Sequence, residues 1–275
     1  MTTTLRPTGP ERREADGARA RTFTVCVNSR PVGGIELGTD RRYGPRVGRI
    51  NALAVDEPDR RRGRGTVAAL AAEEVLRQWG CTRVETSVPA DAEYALRIAA
   101  SLGYTERNQN MALTLDRAAH PHPLPPGSVL RPLTEAEYGP WRDHEREGFI
   151  VGLTERGVPR DQAETHEATA FTAALPDGPA TKGTSLLALE HDGVTVGHLW
   201  LRVTEPAWVF SVEVVAAHRG RGHGRTLMLA AENAAVDAGA ATLLLNVFAG
   251  NTPAIRLYES LGYRTTDHHF AKPLC

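Results

Sequence analysis

Arg219-Gly220-Arg221-Gly222-His223-Gly224 is the stretch on which the reading of this chain turns. It follows an apolar, β-rich run from Trp208 to Val215. It precedes Leu227, Ala230, Ala231 and Ala234 at helical spacing, with Gly239 where a helix would take a left-handed cap. Strand, glycine turn, helix is a local geometry that binds phosphate. The first amide N–H groups of a helix lack partners, the helix dipole is positive at that end, and glycines let the backbone come close. Arg219 and Arg221 add charged donors suited to a pyrophosphate. The glycines follow G-x-G-x-G spacing and no Gly-Lys-Ser/Thr ends the segment, which excludes both the ATPase loop and the dinucleotide fingerprint. For a single such string, a surface turn of solvated arginines is the competing reading.

A second string argues against that competitor. Arg60-Arg61-Arg62-Gly63-Arg64-Gly65 lies 159 residues earlier (219 − 60 = 159), and Ser101-Leu102-Gly103-Tyr104 recurs as Ser260-Leu261-Gly262-Tyr263 at the same offset. Residues 54–104 match their partners at 18 of 51 positions without a gap, so the chain reads as a duplicated domain. Between the copies lie four prolines in Ala118 to Ser128, which neither a helix nor a central strand accommodates. His120 and His122 in that stretch read as solvated linker residues rather than metal ligands. The division predicted is a polar, poorly ordered tail over 1–21, a truncated first copy over 22–117, a proline-rich linker over 118–128 and a complete second copy over 129–275.

The second copy begins with a short strand at Val129 to Pro132. Residues 134–174 are largely helical, with a break around Gly157-Val158-Pro159. Ser185 to Leu189 and Val194 to Val203 form a hairpin turning at His191-Asp192-Gly193. After the glycine turn and its helix comes a buried strand, Thr242 to Phe248. A last helix has Thr252 as N-cap, Pro253 at its first position, and Ala254, Leu257, Tyr258 and Leu261 on one face. Helices and strands in this order make a mixed α/β sandwich. The first copy has the hairpin, Thr22 to Val27 and Val32 to Leu37, but nothing corresponding to the two early helices.

Charge and composition bound the partners. Lys plus Arg number 32 against 33 Asp plus Glu in 275 residues, so no global field favours nucleic acid or an anionic membrane, and neither is expected as a partner. Cys26, Cys81 and Cys275 show neither metal-ligand spacing nor a disulfide framework, and no metal is expected. The first twenty residues lack the apolar core of a signal peptide and no later run is long enough to span a bilayer, so a cytoplasmic location is expected.

Arg219-x-x-Gly222-x-Gly224 after a strand, followed by Asn251-x-x-Ala254-x-x-x-Tyr258 and Leu261-Gly262-Tyr263, resembles the GNAT superfamily of coenzyme A-dependent N-acetyltransferases. The resemblance covers 129–275 as one complete domain. It implies an α/β fold of two tandem GNAT-like domains, each a mixed, mostly antiparallel twisted sheet flanked by helices. It also implies acetyl-CoA as cofactor and direct attack of a primary amine, on a small molecule or peptide, on the thioester. By the same resemblance the cofactor side comprises Val214, Val215, Ala216, Arg219, Gly220, Arg221, Gly222, His223, Gly224, Arg225 and Asn251. The backbone of Val214 to Ala216 pairs with the pantetheine arm. Asn251 reads equally as a simple helix cap.

Such a reaction needs a base, because an amine of pKa about 10.4 is protonated near neutrality. Glu213, six residues before Arg219, matches the family's strand carboxylate and is the expected general base, acting through water. Tyr258 matches the phenol that meets the departing thiolate, its alternative being a core tyrosine on a helix face. At offset 159 the partners of Glu213, Asn251 and Tyr258 are Ala54, Ala92 and Ala99, while Arg60, Arg62, Gly63, Arg64 and Gly65 persist as a possible second cofactor site. The first copy is therefore expected to be degenerate, buttressing the second or shaping its acceptor cleft. Residues 135–170 carry nine acidic side chains against four arginines, which suits a cationic acceptor and equally describes a solvated helix face. Two other functions fit parts of the sequence: an aminoacyl-tRNA-dependent transferase of paired domains, and a non-catalytic acyl-CoA sensor. The duplication is compatible with a monomer or a homodimer.

Overall fold

The computed structural model describes residues 3–14, 17–40, 43–119, 121–155 and 157–274. Met1, Cys275 and His120 lie outside them. The strands and helices are, in order, β1 (Thr3–Pro7), β2 (Arg12–Arg13), β3 (Arg19–Val27), β4 (Arg30–Asp40), β5 (Gly44–Val55), α1 (Arg64–Gln78), β6 (Arg83–Pro89), α2 (Glu93–Ser101) and β7 (Thr105–Thr114). They continue with β8 (Ser128–Pro132), α3 (Glu135–Thr154), α4 (Arg160–Ala174), β9 (Thr184–His191), β10 (Val194–Arg202), β11 (Ala207–Val214), α5 (His223–Asp237), β12 (Thr242–Phe248), α6 (Thr252–Ser260) and β13 (Arg264–Pro273). The fold is mixed α/β. From α1 to β7 every boundary recurs 159 residues later in α5, β12, α6 and β13, so the duplication read from residue identities is also a duplication of structure.

Two compact units emerge, residues 1–108 with 267–275, and residues 109–266. They do not coincide with a division at 117 and 129. The last strand of each copy is what differs: most of β13 joins unit 1, where it pairs antiparallel with β6, while the end of β7 joins unit 2 as the neighbour of β12. Strand partners far apart in sequence leave no local pattern, which is why the sequence-based boundaries miss this.

In unit 1 the strands run β1-β3-β4-β5-β6-β13, antiparallel except for the parallel β5–β6 pair. The tail expected to be poorly ordered is in part a strand. Thr3–Pro7 pairs with Phe23–Val27, its backbone bonds holding a polar sequence that no hydrophobic alternation announces. The core joins Phe23, Val25, Ile35 and Leu37 of the hairpin to Leu76 of α1. The first α-helix starts at Arg64, in keeping with a copy that lacks the early helices.

In unit 2 the order is β7-β12-β11-β10-β9-β8, again with one parallel pair, β11–β12. A Thr134–Glu137 capping box starts α3, and Val158-Pro159 separates α3 from α4. One face of the sheet packs on α5 through Leu199, Leu201, Val209, Leu227, Leu243 and Leu245. The other meets α3 and α4 through Trp141, Phe171, Leu186 and Trp200. The linker is docked rather than solvated. His122 donates its backbone N–H to Asn233 Oδ1 at 2.7 Å and accepts from Asn233 Nδ2 at 2.8 Å, while its ring lies 3.3 Å from Glu232.

Candidate active site

The site of unit 2 opens where two strands stop pairing. β11 and β12 are hydrogen-bonded only over Ala207–Val209 and Leu243–Leu245, and beyond that point they part. The same stretch of β11 carries a bulge: Val209 faces Leu201 and Ser211 faces Trp200, so Phe210 is the extra residue. That one-residue insertion sets the register in which Ser211 and Glu213 share the face covered by α3. Gly197 of β10 seats the strand, because a Cβ there would run into the carbonyl of Glu213 and Leu227.

Around Glu213 the groups are close and mostly charged. His144 Nε2, from α3, lies 2.8 Å from Glu213 Oε2, and Arg219 Nη2 lies 3.9 Å from Oε1. Ser211 donates its hydroxyl to Glu145 Oε1 at 2.7 Å. Burial raises the Glu145 carboxyl above the usual range, the Ser211 bond lowers it, and the Glu213 charge raises it again. His198, directly across the ladder from Glu213, is held below the ordinary histidine range by burial. A half-buried carboxylate thus has an imidazole, a guanidinium and a second acid close by.

The loop after β11 follows from the same strand. Val215 donates its N–H to Val196 on β10 at 2.9 Å, and backbone groups alternate sides along an antiparallel pair. Val214 therefore turns its N–H and C=O away from β10, toward the opening, while the Val215 N–H is engaged. The Val214 carbonyl accepts from Arg219 Nε at 3.0 Å, which folds the arginine back along the loop and leaves its outer nitrogens free of that bond. Gly220 and Gly222 take left-handed φ of 75° and 89°, with nothing within 4 Å of where a Cβ would stand. Gly222 is the N-cap of α5 and no side chain caps the helix, so its first amides carry no side-chain acceptor there. Gly224 marks a convergence, since a Cβ there would meet Leu257 of α6 at 3.3 Å and Val214 of β11 at 3.8 Å.

A sequence profile of the acetyltransferase (GNAT) family matches residues 2–104 and 141–263. The chain belongs to that family. It is thereby an acyltransferase, and the family has two matches because the domain occurs twice. Similarity extends to the mycothiol acetyltransferase of Thermomonospora curvata, 31% identical over 220 residues, spanning 79% of this chain and 71% of that one. The uncharacterized N-acetyltransferase YdgE of Bacillus subtilis is 27% identical over 154 residues, 54% of this chain and 98% of YdgE. Among solved structures, a GCN5-related N-acetyltransferase from Sphaerobacter thermophilus has the same fold, with TM-score 0.61 at 21% identity over 92% of this chain and 80% of that one.

Several residues expected on the cofactor side of this GNAT domain are engaged within the protein. His223 is buried, 5.0 Å from the His191 ring and 6.4 Å from that of His218, and burial lowers its pKa. Arg225 is tied to Ser260 at 2.5 Å. Asn251 is the N-cap of α6, accepting from Ala254 N–H at 3.3 Å, one residue before the cap expected at Thr252. Tyr258 sits in the core with Leu227, Val247 and Tyr263, and burial pushes its phenol up to about 12, so it is protonated at neutral pH. The sequence reading missed His144 and Ser211, and had Glu145 only as one of the nine acidic side chains over 135–170. Only the acidic character of α3 hinted at them.

The GNAT domain of unit 1 opens in the same place. β5 and β6 pair over Val47–Ile50 and Arg83–Thr86, then part to leave a cleft of about 1090 Å3 lined by Ala54, Ala92, Ala99, Arg60, Gly63 and Gly65. Arg60 Nε donates to Val55 O at 2.8 Å, as Arg219 does to Val214. Gly63 is the left-handed N-cap of α1. Arg64, by contrast, is buried against Asp59, which also takes both outer nitrogens of Arg30 at 2.7 and 2.8 Å. Among the described residues no three His, Cys, Asp or Glu side chains group as a metal site, Cys26 and Cys81 are buried free thiols, and no helix is long and apolar enough to cross a membrane.

Proposed function

We propose that the chain is an acetyl-CoA-dependent N-acetyltransferase whose chemistry resides in unit 2, with a primary amine of a small molecule or peptide as acceptor. The observation that carries the reading is Glu213, a half-buried carboxylate on the diverging strand beside an uncapped glycine-rich helix start. That opening fits the cofactor: Gly220 and Gly222 leave room for close approach, Arg219 and Arg221 supply cations, and Val214 offers a backbone N–H. Acetyl-CoA would bring the acyl group as a thioester. Arg219, Arg221 and the first amides of α5 would hold its pyrophosphate.

Glu213 takes the proton that an ammonium acceptor must lose, directly or through water. Tyr258, neutral at the pH of the reaction, offers a hydrogen bond rather than a full proton to the leaving sulfur, since a phenol held near 12 is a weaker acid than a thiol. Glu213 and Glu145 together favour a cationic acceptor. Relatives named for mycothiol and streptothricin acetylation favour a small molecule. The cleft of unit 1 is a second place for the same cofactor, held by Arg60, Arg62, Gly63 and Gly65. With Ala54 and Ala99 at the catalytic positions it binds without turnover. The balanced charge speaks against a tRNA donor. One assay tests the reading: release of free thiol from acetyl-CoA across a panel of amines, comparing wild type with Glu213→Gln and Tyr258→Phe. Turnover undiminished in both variants rules out the assignment.

A further inference from the structure

A base that accepts one proton per turnover must also lose one. The groups facing Glu213 come from three elements besides its own. Glu145 and His144 stand on α3, His198 on β10, and Arg219 on the loop, with Ser211 on β11 itself. Glu145 is a second acid engaged by Ser211 and coupled to Glu213 by like charge, so passing a proton to it discharges nothing. Arg219 cannot give up or accept a proton in a protein. His198 is held within the sheet, where burial disfavours its charged form. His144 differs from all of these: its Nε2 is 2.8 Å from the carboxylate, and its side chain is 64% exposed. An imidazole is also the side chain that takes up and releases protons near neutrality.

We propose that His144 is the proton outlet of the acetyl-transfer site, carrying to solvent the proton that Glu213 takes from the acceptor. The proposal rests on Glu213 being the base. The acceptor's N–H bond breaks as an O–H bond forms on Glu213. That O–H then breaks as Nε2 of a neutral His144 is protonated, and the resulting imidazolium releases its Nδ1 proton to water or buffer. This leaves a neutral ring with N–H at Nε2 beside a restored carboxylate; water or buffer then takes the Nε2 proton of the exposed ring and returns one to Nδ1, which frees Nε2 for the next turnover. No oxidant or further reactant is needed. Among the described residues unit 1 has no such pair at this position, because Ala54 stands where unit 2 has the carboxylate.

The test uses the full chain, with turnover measured at saturating acetyl-CoA and amine over a range of buffer concentrations. His144→Ala is expected to lower kcat about 10-fold in dilute buffer, less than the roughly 100-fold or more that loss of the base itself would cost. KM should be unchanged, and added imidazole should restore kcat, while wild type is indifferent to imidazole. A second readout needs no turnover: 15N spectra should place the ring proton of His144 on Nε2 in wild type and lose that preference in Glu213→Ala. If His144→Ala keeps full kcat in dilute buffer, or loses activity that imidazole does not restore, the outlet is refuted even where Glu213→Gln is inactive. Full activity of Glu213→Gln would instead refute the base, and the outlet with it.

Discussion

The two glycine-rich loops have nearly the same backbone and different chemistry. In each, an arginine folds back onto the carbonyl of the diverging strand, Arg60 on Val55 and Arg219 on Val214. In each a left-handed glycine caps the helix, and the next glycine packs against the following helix, Gly65 on Ile98 and Gly224 on Leu257. What differs is what surrounds that frame. Unit 1 pins its loop from behind with the ionic group Arg30, Asp59 and Arg64, where unit 2 has the three rings of His191, His218 and His223. Unit 1 offers Ala54, Ala92 and Ala99 to its cleft, at the positions that Glu213, Asn251 and Tyr258 hold in unit 2. The shared frame depends on packing and backbone geometry, whereas the reactivity proposed for unit 2 depends on a few side chains that are absent from unit 1 without disturbing that frame.

Substitutions at matched positions break or sharpen this contrast. Gly222→Val forces a β-branched residue into left-handed backbone beside the proposed cofactor site and should lower kcat/KM for acetyl-CoA about 10- to 100-fold. Gly63→Val should strain unit 1 equally and leave turnover within about twofold. Steady-state kinetics on both variants compares the loops directly, and an equal loss would place catalytic binding in both. Tyr258→Phe should cost about 10-fold in kcat with little change in KM, the low end of what one hydrogen bond to a charged group contributes; an unchanged kcat would return Tyr258 to the core alone.

Smaller effects concern stability. Gly33→Ala and Gly197→Ala each drive a methyl group into a neighbouring strand carbonyl, of Ala54 and Glu213 respectively. Both should cost about 1–3 kcal/mol in denaturant unfolding, yet only Gly197→Ala should also reduce turnover, because it displaces Glu213. Glu145→Gln keeps an acceptor for Ser211 and removes a buried charge. The folded-state pKa of Glu145 is raised, so the unfolded chain loses this proton first. The charge therefore costs the fold nothing below the ordinary carboxylate range and progressively more as pH rises toward the folded value. The variant should match wild type in Tm near pH 4 and exceed it near pH 8. A gain at pH 4 that vanished by pH 8 would reverse the sign assigned here.

Much of the frame was legible in the sequence because it obeys local rules. Glycine spacing, the Asp192-Gly193 turn, helical periodicity after Gly224 and the break at Pro159 each have a short-range cause. β12 spans Thr242 to Phe248 as expected. The strand of the tail was not legible, because Thr3–Pro7 is a polar edge strand held by backbone bonds. Neither was the crossing of β7 and β13 between units, which depends on pairings far apart along the chain. The linker's hold on α5 came through His122 and two polar residues of that helix rather than any pattern. At the site, Glu213 and the loop could be read from position. His144 could not, since an exposed histidine on a charged helix gives no sign of the strand carboxylate 69 residues away that it meets.

If acetyl transfer belongs to unit 2 and unit 1 keeps only the frame, the two halves must respond differently to substitution. The most direct test is thiol release from acetyl-CoA with a responsive amine, comparing Glu213→Gln with Arg60→Ala/Arg62→Ala in the full chain. The account predicts that kcat falls about 100-fold or more for Glu213→Gln, and that it stays within about twofold for the unit 1 variant. Full turnover in Glu213→Gln, or an equal collapse when the unit 1 arginines are removed, would contradict it.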